Sequence, residues 1–388
     1  MTAPSIGLAA LAQMVFDGAD IQPLFAQLVE RAGGGDVAAL MDIATMMLLT
    51  GDRDGGLRIQ AEALQHQRLY RRPAGEVAGT RLLALMAAGD TMANTPLDFL
   101  LEGSDIELLT LYVDPGQPLP SPLPDYDVAF LAVGESEANR PLLHALEPVA
   151  RAWPTPLLNG APARIAELTR DGVCALMDGA KGVLAPATIR LDRDALARIG
   201  QGAPCKIAFP FIVRPIGSQA GAGLEKLTGP EQVARYLEGQ DAPVFYLAPF
   251  IDYSGPDGLF RKQRIALIDG RPFACHLAIS AHWMVHYLNA AMIESADNRA
   301  EEARFMADFD AGFAERHRAA FESLYHRIGL DYFAIDCAET HDGRLLLFEA
   351  DVAMIVHAMD PPDLFPYKGP QMRKVFDAFQ TMIRRRVK

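Results

Sequence analysis

The feature that most constrains this chain is a pair of short apolar runs near its end, Tyr332 to Ala338 and Leu345 to Ala350, joined through His341-Asp342-Gly343-Arg344. Length, composition and the central Asp-Gly turn signal predict a β-hairpin. Its first strand carries Asp336, and the second carries Glu349 and Asp351. Side chains two apart on a strand share a face, so Glu349 and Asp351 project together, and the hairpin can bring Asp336 beside them. Three carboxylates in such apolar flanks repel one another unless a cation lies between them. The plainer alternative is three surface acids on a polar face.

A second element supplies the opposite charge. Ala208 to Arg214 reads as a strand, followed by Pro215-Ile-Gly217-Ser218-Gln-Ala-Gly221-Ala-Gly223. Glycines let backbone N–H groups converge on an anion, and the Arg214 guanidinium can grip the same anion with two parallel donors. A Gly-rich turn also occurs between strands with no ligand at all. Taken with the acidic hairpin, this suits Mg²⁺ bound to a phosphorylated ligand, since Mg²⁺ takes one or two carboxylates plus phosphate oxygens.

Residues 1–94 read as helical. Leu8, Leu11, Met14 and Val15 fall at helical spacing, and Asp36 is a candidate N-cap before VAALMDIATMMLL, which ends at Gly51. Residues 95–170 read as a small α/β unit. It contains the β-rich run Ile106 to Val113, a Pro-rich loop, the buried strand Val128 to Val133, a helix from Arg140 to Ala152 and the short strand Leu157 to Asn159. Strand, helix, strand at these spacings predicts a parallel sheet. Residues 171–388 alternate longer strands and helices. They include the strand Val244 to Ile251, a hairpin from Arg264 to Ile279 turning at Asp269-Gly270, one long amphipathic helix from Ala300 to Ile328, and a final helix from Gln371 to Arg386. Arginines 384–386 suit a helix C-terminus, with an anionic-lipid patch as the sharper alternative.

The 388 residues allow two or three domains, and a hydrophobic half of the composition fills more than one core. A net charge of −13 argues against nucleic acid as a partner. Four cysteines without a C-x-x-C pair indicate reduced thiols. The N-terminus lacks a basic leader, and no apolar run reaches the ~20 residues of a membrane span. A soluble cytoplasmic protein without membrane partners is expected, with a homodimer the expectation on base rates alone.

From about Ser104 onward the chain resembles the ATP-grasp superfamily, particularly its glutathione-synthetase-like and RimK-like ligases. The resemblance implies a fold of mixed α/β and α+β class, with a small α/β domain ahead of two lobes that grip ATP. It further implies nucleotide contacts from Arg170, Arg214 and the loop residues Gly217, Ser218, Gly221 and Gly223. An adenine hinge would run through Tyr246, Leu247, Ala248 and Phe250, and catalytic roles would fall to Arg264 and Asn289. Mg²⁺ ligands would be Asp336, Glu349 and Asp351. Two family lysines are arginines here, the family's Glu-x-Asn is Glu-x-Asp, Pro249 interrupts the hinge, and Lys262 stands where an acid is expected, with Asp257 a substitute. Residues before about 95 resemble, over roughly forty positions, one tetratricopeptide-like or Sel1-like helix pair, which implies a peptide or protein partner. An ordinary bundle or dimerisation segment reads equally well.

The resemblance implies an ATP-dependent carboxylate–amine ligase acting through an acylphosphate. A nucleotide-binding regulator without turnover, or a protein that recruits a partner through its first helices, are the alternatives. His276, His282, His286 and His357 line the substrate side in this reading. The spacing of His282 and His286 also permits a transition-metal site on a helix.

Overall fold

The computed structural model describes residues 4–74, 79–218, 221–286 and 290–387. Four helices open the chain: α1 (Leu8–Phe16), α2 (Gln22–Gly33), α3 (Val37–Leu49) and α4 (Arg53–His66). Asp36 caps α3 as expected, its carboxylate accepting from the Ala38 and Ala39 N–H groups. Leu11, Leu28, Ala39, Ile43 and Met46 form their apolar seam.

Asp42 of α3 is buried and accepts hydrogen bonds from the backbone of Ile6 and Gly7, tying the N-terminal segment down. Burial pushes its carboxyl up to about 6. A raised folded pKa contributes stability that is present below the unfolded value near 4 and lost as pH rises through about 6. The fall of unfolding free energy over that window is therefore expected to be shallower in Asp42→Asn, by on the order of 3 kcal/mol. Denaturant titrations at several pH values measure this directly.

The helical stretch expected over residues 1–94 ends at His66. Strands β1 (Leu69–Arg72) and β2 (Thr80–Met86) follow. The TRLLALM run of β2 is buried almost throughout, and a short continuous apolar run carries no period to separate strand from buried helix. With β3 (Ile106–Tyr112), β4 (Val128–Leu131) and β5 (Leu157–Leu158) these strands form a sheet of order β1-β3-β2-β4-β5. The last four strands in that order are parallel, as the α/β spacing predicts, and β1 is an antiparallel edge. Helix α5 (Leu97–Leu100) precedes β3, α6 (Arg140–Arg151) follows β4, and α7 (Pro162–Ala166) and α8 (Arg170–Leu176) lead out of the sheet.

A second sheet is built from β6 (Val183–Leu184), β11 (Phe260–Ile268), β12 (Arg271–Ser280), β13 (Tyr332–Glu339) and β14 (Leu345–Asp351), in the order β12-β11-β13-β14-β6. Asp269 and Gly270 both have positive φ (49° and 78°), the geometry an Asp-Gly hairpin turn requires. Buried apolar residues from Leu82 to Ile383 form one cluster, so the first sheet, the second sheet and the C-terminal helix α13 (Lys368–Arg386) share a core.

The helix expected across Ala300 to Ile328 is broken into α11 (Ala296–Ala307), a π-helical turn (Asp310–Ala314) and α12 (Arg318–Ile328). Gly312 lies inside that turn, where Phe305, Phe309, Phe313 and His317 pack ring on ring at 4.5–6.1 Å. Arg384 pairs with Asp105, and Arg386 with Asp269 and Asp331. Two of the three terminal arginines thus hold elements of the fold together.

The middle of the chain makes a separate lobe: β7 (Ile189–Asp192), α9 (Arg193–Gly200), β8 (Phe211–Pro215), β9 (Glu225–Leu227), α10 (Glu231–Glu238) and β10 (Val244–Pro249). Its antiparallel sheet runs β7-β10-β8-β9. One face, through Phe211, Val213, Phe245 and Leu247, packs on Leu196 and Val233 of the two helices as a distinct cluster. Strand alternation turns Ile212, Arg214, Tyr246 and Ala248 the other way. No described helix is long and apolar enough to cross a membrane.

Candidate active site

Those outward residues of the lobe face a cavity of about 610 Å³, whose other wall is the second sheet. The lining includes Arg170, Arg214, Lys262, Arg264, Asp336, Glu349 and Asp351. The first sheet contributes Glu135 and Ser136 from the loop after β4. Gly134 of that loop lies against the segment following β14, where an added Cβ would come within 2.7 Å of the Ala353 side chain. A bulky residue there would push the first sheet away from the cavity floor.

Arg170 opens α8, whose N-terminus Thr169 caps, and it bonds the Phe348 carbonyl and the Glu349 carboxylate. Arg214 is only 8% exposed. Its Nε donates to Ser218 Oγ at 3.0 Å, and its Nη2 donates to the Ser218 carbonyl. Burial, then the charge of Arg170, lowers its guanidinium to about 10. Two guanidiniums are thus held close enough to repel at one end of the cavity. Gly217, Gly221 and Gly223 all take positive φ, between 64° and 78°, which a Cβ would strain. Gly217, Ser218 and Gly221 line the cavity, while Gly223 sits under Pro215 and its carbonyl accepts from the Tyr236 hydroxyl.

Of the expected hinge, Tyr246, Ala248 and Phe250 line the cavity with Pro249. Leu247 points into the lobe's own core. The Phe250 N–H donates to the Pro210 carbonyl at 3.1 Å, and Pro249 has no N–H. The backbone donors expected to read a purine edge at these two positions are therefore taken or missing. Arg190, which sequence reasoning passed over, lies 5.2 Å above the Tyr246 ring and pairs with Asp171 and Glu137. Trp283 meets Phe250 at 5.7 Å, and Met284 abuts Gly221, so this segment closes the cavity opposite the glycine loop. Asn289 lies outside the described residues.

The sheet does bring the three acids to one face. Asp336 is the register partner of Glu349, and Asp351 stands opposite Ala334, two residues along the strand from Asp336. Two of the three, Asp336 and Glu349, are paired with cations. Asp336, 2% exposed, receives Lys262 Nζ at 2.9 Å and Arg264 Nε and Nη2 at 2.8 and 3.1 Å, so both its oxygens are bonded. Arg264 Nη1 donates to the Ile355 carbonyl. Glu349 is held by Arg170. Arg264 and Lys262 keep Asp336 ionised well below the usual carboxylate range against its burial. Asp351 accepts the Ala353 N–H at 3.0 Å, and burial, with the charges of Glu349 and Glu135, pushes its carboxyl up to about 7. Among the described residues no three His, Cys, Asp or Glu side chains are grouped to hold a metal ion. As arranged, these residues do not fit Mg²⁺. Lys262 carried a signal: it stands two residues from Arg264 on one strand, hence on the same face.

His276, His286 and His357 line the cavity and His282 does not. The segment carrying His282 and His286 is irregular, so helical spacing does not align them. Burial lowers the imidazole of His357 to about 4 and that of His276 well below its ordinary value, so both are neutral at pH 7.

No protein-family model matches the chain, and no curated protein matches it. Solved structures do. The VanG D-Ala:D-Ser ligase from Enterococcus faecalis is similar over 78% of this chain and 99% of its own, at 11% identity and a TM-score of 0.48. The RimK domain protein ATP-grasp from Sphaerobacter thermophilus is similar over 79% and 99%, at 16% identity and 0.43. The D-alanine–D-alanine ligase from Bacillus anthracis, complexed with ATP, is similar over 79% and 98%, at 14% identity and 0.45. These likenesses are distant, and the chemistry of the cavity stands on its own residues.

Proposed function

We propose that the chain is an ATP-dependent ligase of the ATP-grasp type, joining a carboxylate to an amine through an acylphosphate. The observation that carries this reading is the pair of guanidiniums, Arg170 and Arg214, beside a glycine loop in a cavity walled by two sheets. Arg170 is paired with Glu349 and Arg214 bonds Ser218, so the pair carries one positive charge more than its bonded carboxylate offsets, and a triphosphate answers that surplus. In the reaction, a substrate carboxylate oxygen attacks the γ-phosphorus and the bond to the β-phosphate oxygen breaks, releasing ADP. The amine nitrogen then attacks the acyl carbon, and inorganic phosphate leaves with the electron pair of the C–O bond. In this reading Asp351, its carboxyl pushed up to about 7, takes the proton the amine gives up. Arg170 and Arg214 offset the charge on the transferring phosphoryl group. The glycine loop and the Trp283–Met284 segment keep water from the acylphosphate.

A second reading, a nucleotide binder without turnover, is favoured by the occupied Phe250 N–H and the saturated Asp336. One experiment separates the two. ATP at a hundred times its dissociation constant is expected to stabilise the protein by about 2.7 kcal/mol, seen as a raised unfolding temperature. ADP release upon adding pooled amino acids and short peptides supports the ligase. Stabilisation with no ADP from any pool supports the binder. No shift at millimolar ATP rejects both.

A further inference from the structure

We infer that the positive charge a divalent metal would bring to the nucleotide is built into the protein, with Lys262 supplying it and Asp336 serving as its buried counter-ion. This rests on the nucleotide reading above. Three cations, Arg170, Lys262 and Arg264, pair with two carboxylates, Asp336 and Glu349, on this wall of the cavity, where Asp351 is a third carboxylate. A divalent ion is drawn to an excess of carboxylate oxygens, and here that excess is cancelled in advance.

The arrangement is fixed by the sheet. Arg264 of β11 stands in register with Asp336 of β13, and Lys262 lies two residues further along β11 on the same face. Both therefore meet the carboxylate diagonally and directly across one strand pair, without a long flexible reach. Lys262 is 14% exposed at its side chain, and it lines the cavity. Its ammonium has three donors and spends one on Asp336, leaving the others for phosphate oxygens. Arg264 by contrast turns all three of its nitrogens to Asp336 and the Ile355 carbonyl, which makes it the anchor and Lys262 the presenting charge. Lys262 is accordingly assigned as a nucleotide-binding residue.

Calorimetric titration of the full chain with ATP, in EDTA and in Mg²⁺, tests this. The dissociation constant is expected to agree within about threefold between the two conditions, because binding draws on fixed protein charge. Lys262→Gln is expected to weaken binding in EDTA by at least about tenfold, with Lys262→Arg restoring most of it, while circular dichroism shows both variants folded. Mn²⁺ added without nucleotide is expected to show no saturable site. Tight binding that appears only with Mg²⁺ and is unchanged in Lys262→Gln overturns the inference and leaves the nucleotide reading intact. Saturable Mn²⁺ binding that is lost in Asp336→Asn likewise overturns it. Absence of binding in either buffer removes the nucleotide reading and this inference together.

Discussion

Replacing Arg214 with methionine is expected to abolish the stabilisation by ATP and to lower ADP release by about two to three orders of magnitude. The unliganded protein is expected to keep or gain stability. The reason is that Arg214 is costly where it stands: burial and the neighbouring Arg170 charge both oppose its ionisation. Methionine fills the space of the arginine stem and removes that cost. What is lost is the charge offered to a bound anion, together with the bonds that hold Ser218 and the glycine loop. Unfolding curves with and without ATP therefore move in opposite senses for this variant. An Arg214→Met protein that still gains stability from ATP would show that Arg214 merely braces the loop.

Asp336→Ala has the largest expected effect on the fold. The change takes from Arg264 and Lys262, in a buried sheet, the carboxylate that both bond. Removing one member of a buried charge network costs about 3–5 kcal/mol, and for a chain of this size that is a fall of about 5 °C in unfolding temperature. The triple change Lys262→Met, Arg264→Met, Asp336→Leu removes the network whole and is expected to recover most of the loss. Because the folded pKa of Asp336 is depressed, its contribution is present above the ordinary carboxylate value and is lost only as pH falls well below it. A tolerated Asp336→Ala would mean that neither cation depends on this carboxylate.

Local signals in the sequence were read well where period and turn agree. The β13–β14 hairpin, the Asp269-Gly270 turn and the sharing of one face by Asp336, Glu349 and Asp351 follow from strand period and turn chemistry alone. So does the Asp36 cap. The partners of those carboxylates were not legible, because Lys262 and Arg264 reach Asp336 from more than seventy positions away through strand order, which no local pattern encodes. Leu247 could have been excluded from the cavity on parity, since Tyr246 and Ala248 face it. The strand β2 was hidden by its uniform burial, and the break before α12 by an aromatic row that keeps helical spacing while the backbone widens.

The lobe from Ile189 to Pro249 keeps its buried apolar side chains in a cluster of its own. Across the cavity, its contacts with the remainder include ion pairs: Arg190 with Asp171 at 2.8 Å and with Glu137 at 3.0 Å, both partly exposed. Charge contacts of that kind weaken over a Debye length of about 10 Å at 0.1 M salt, whereas apolar cores do not. Raised ionic strength is therefore expected to loosen this joint while leaving the lobe's own core folded.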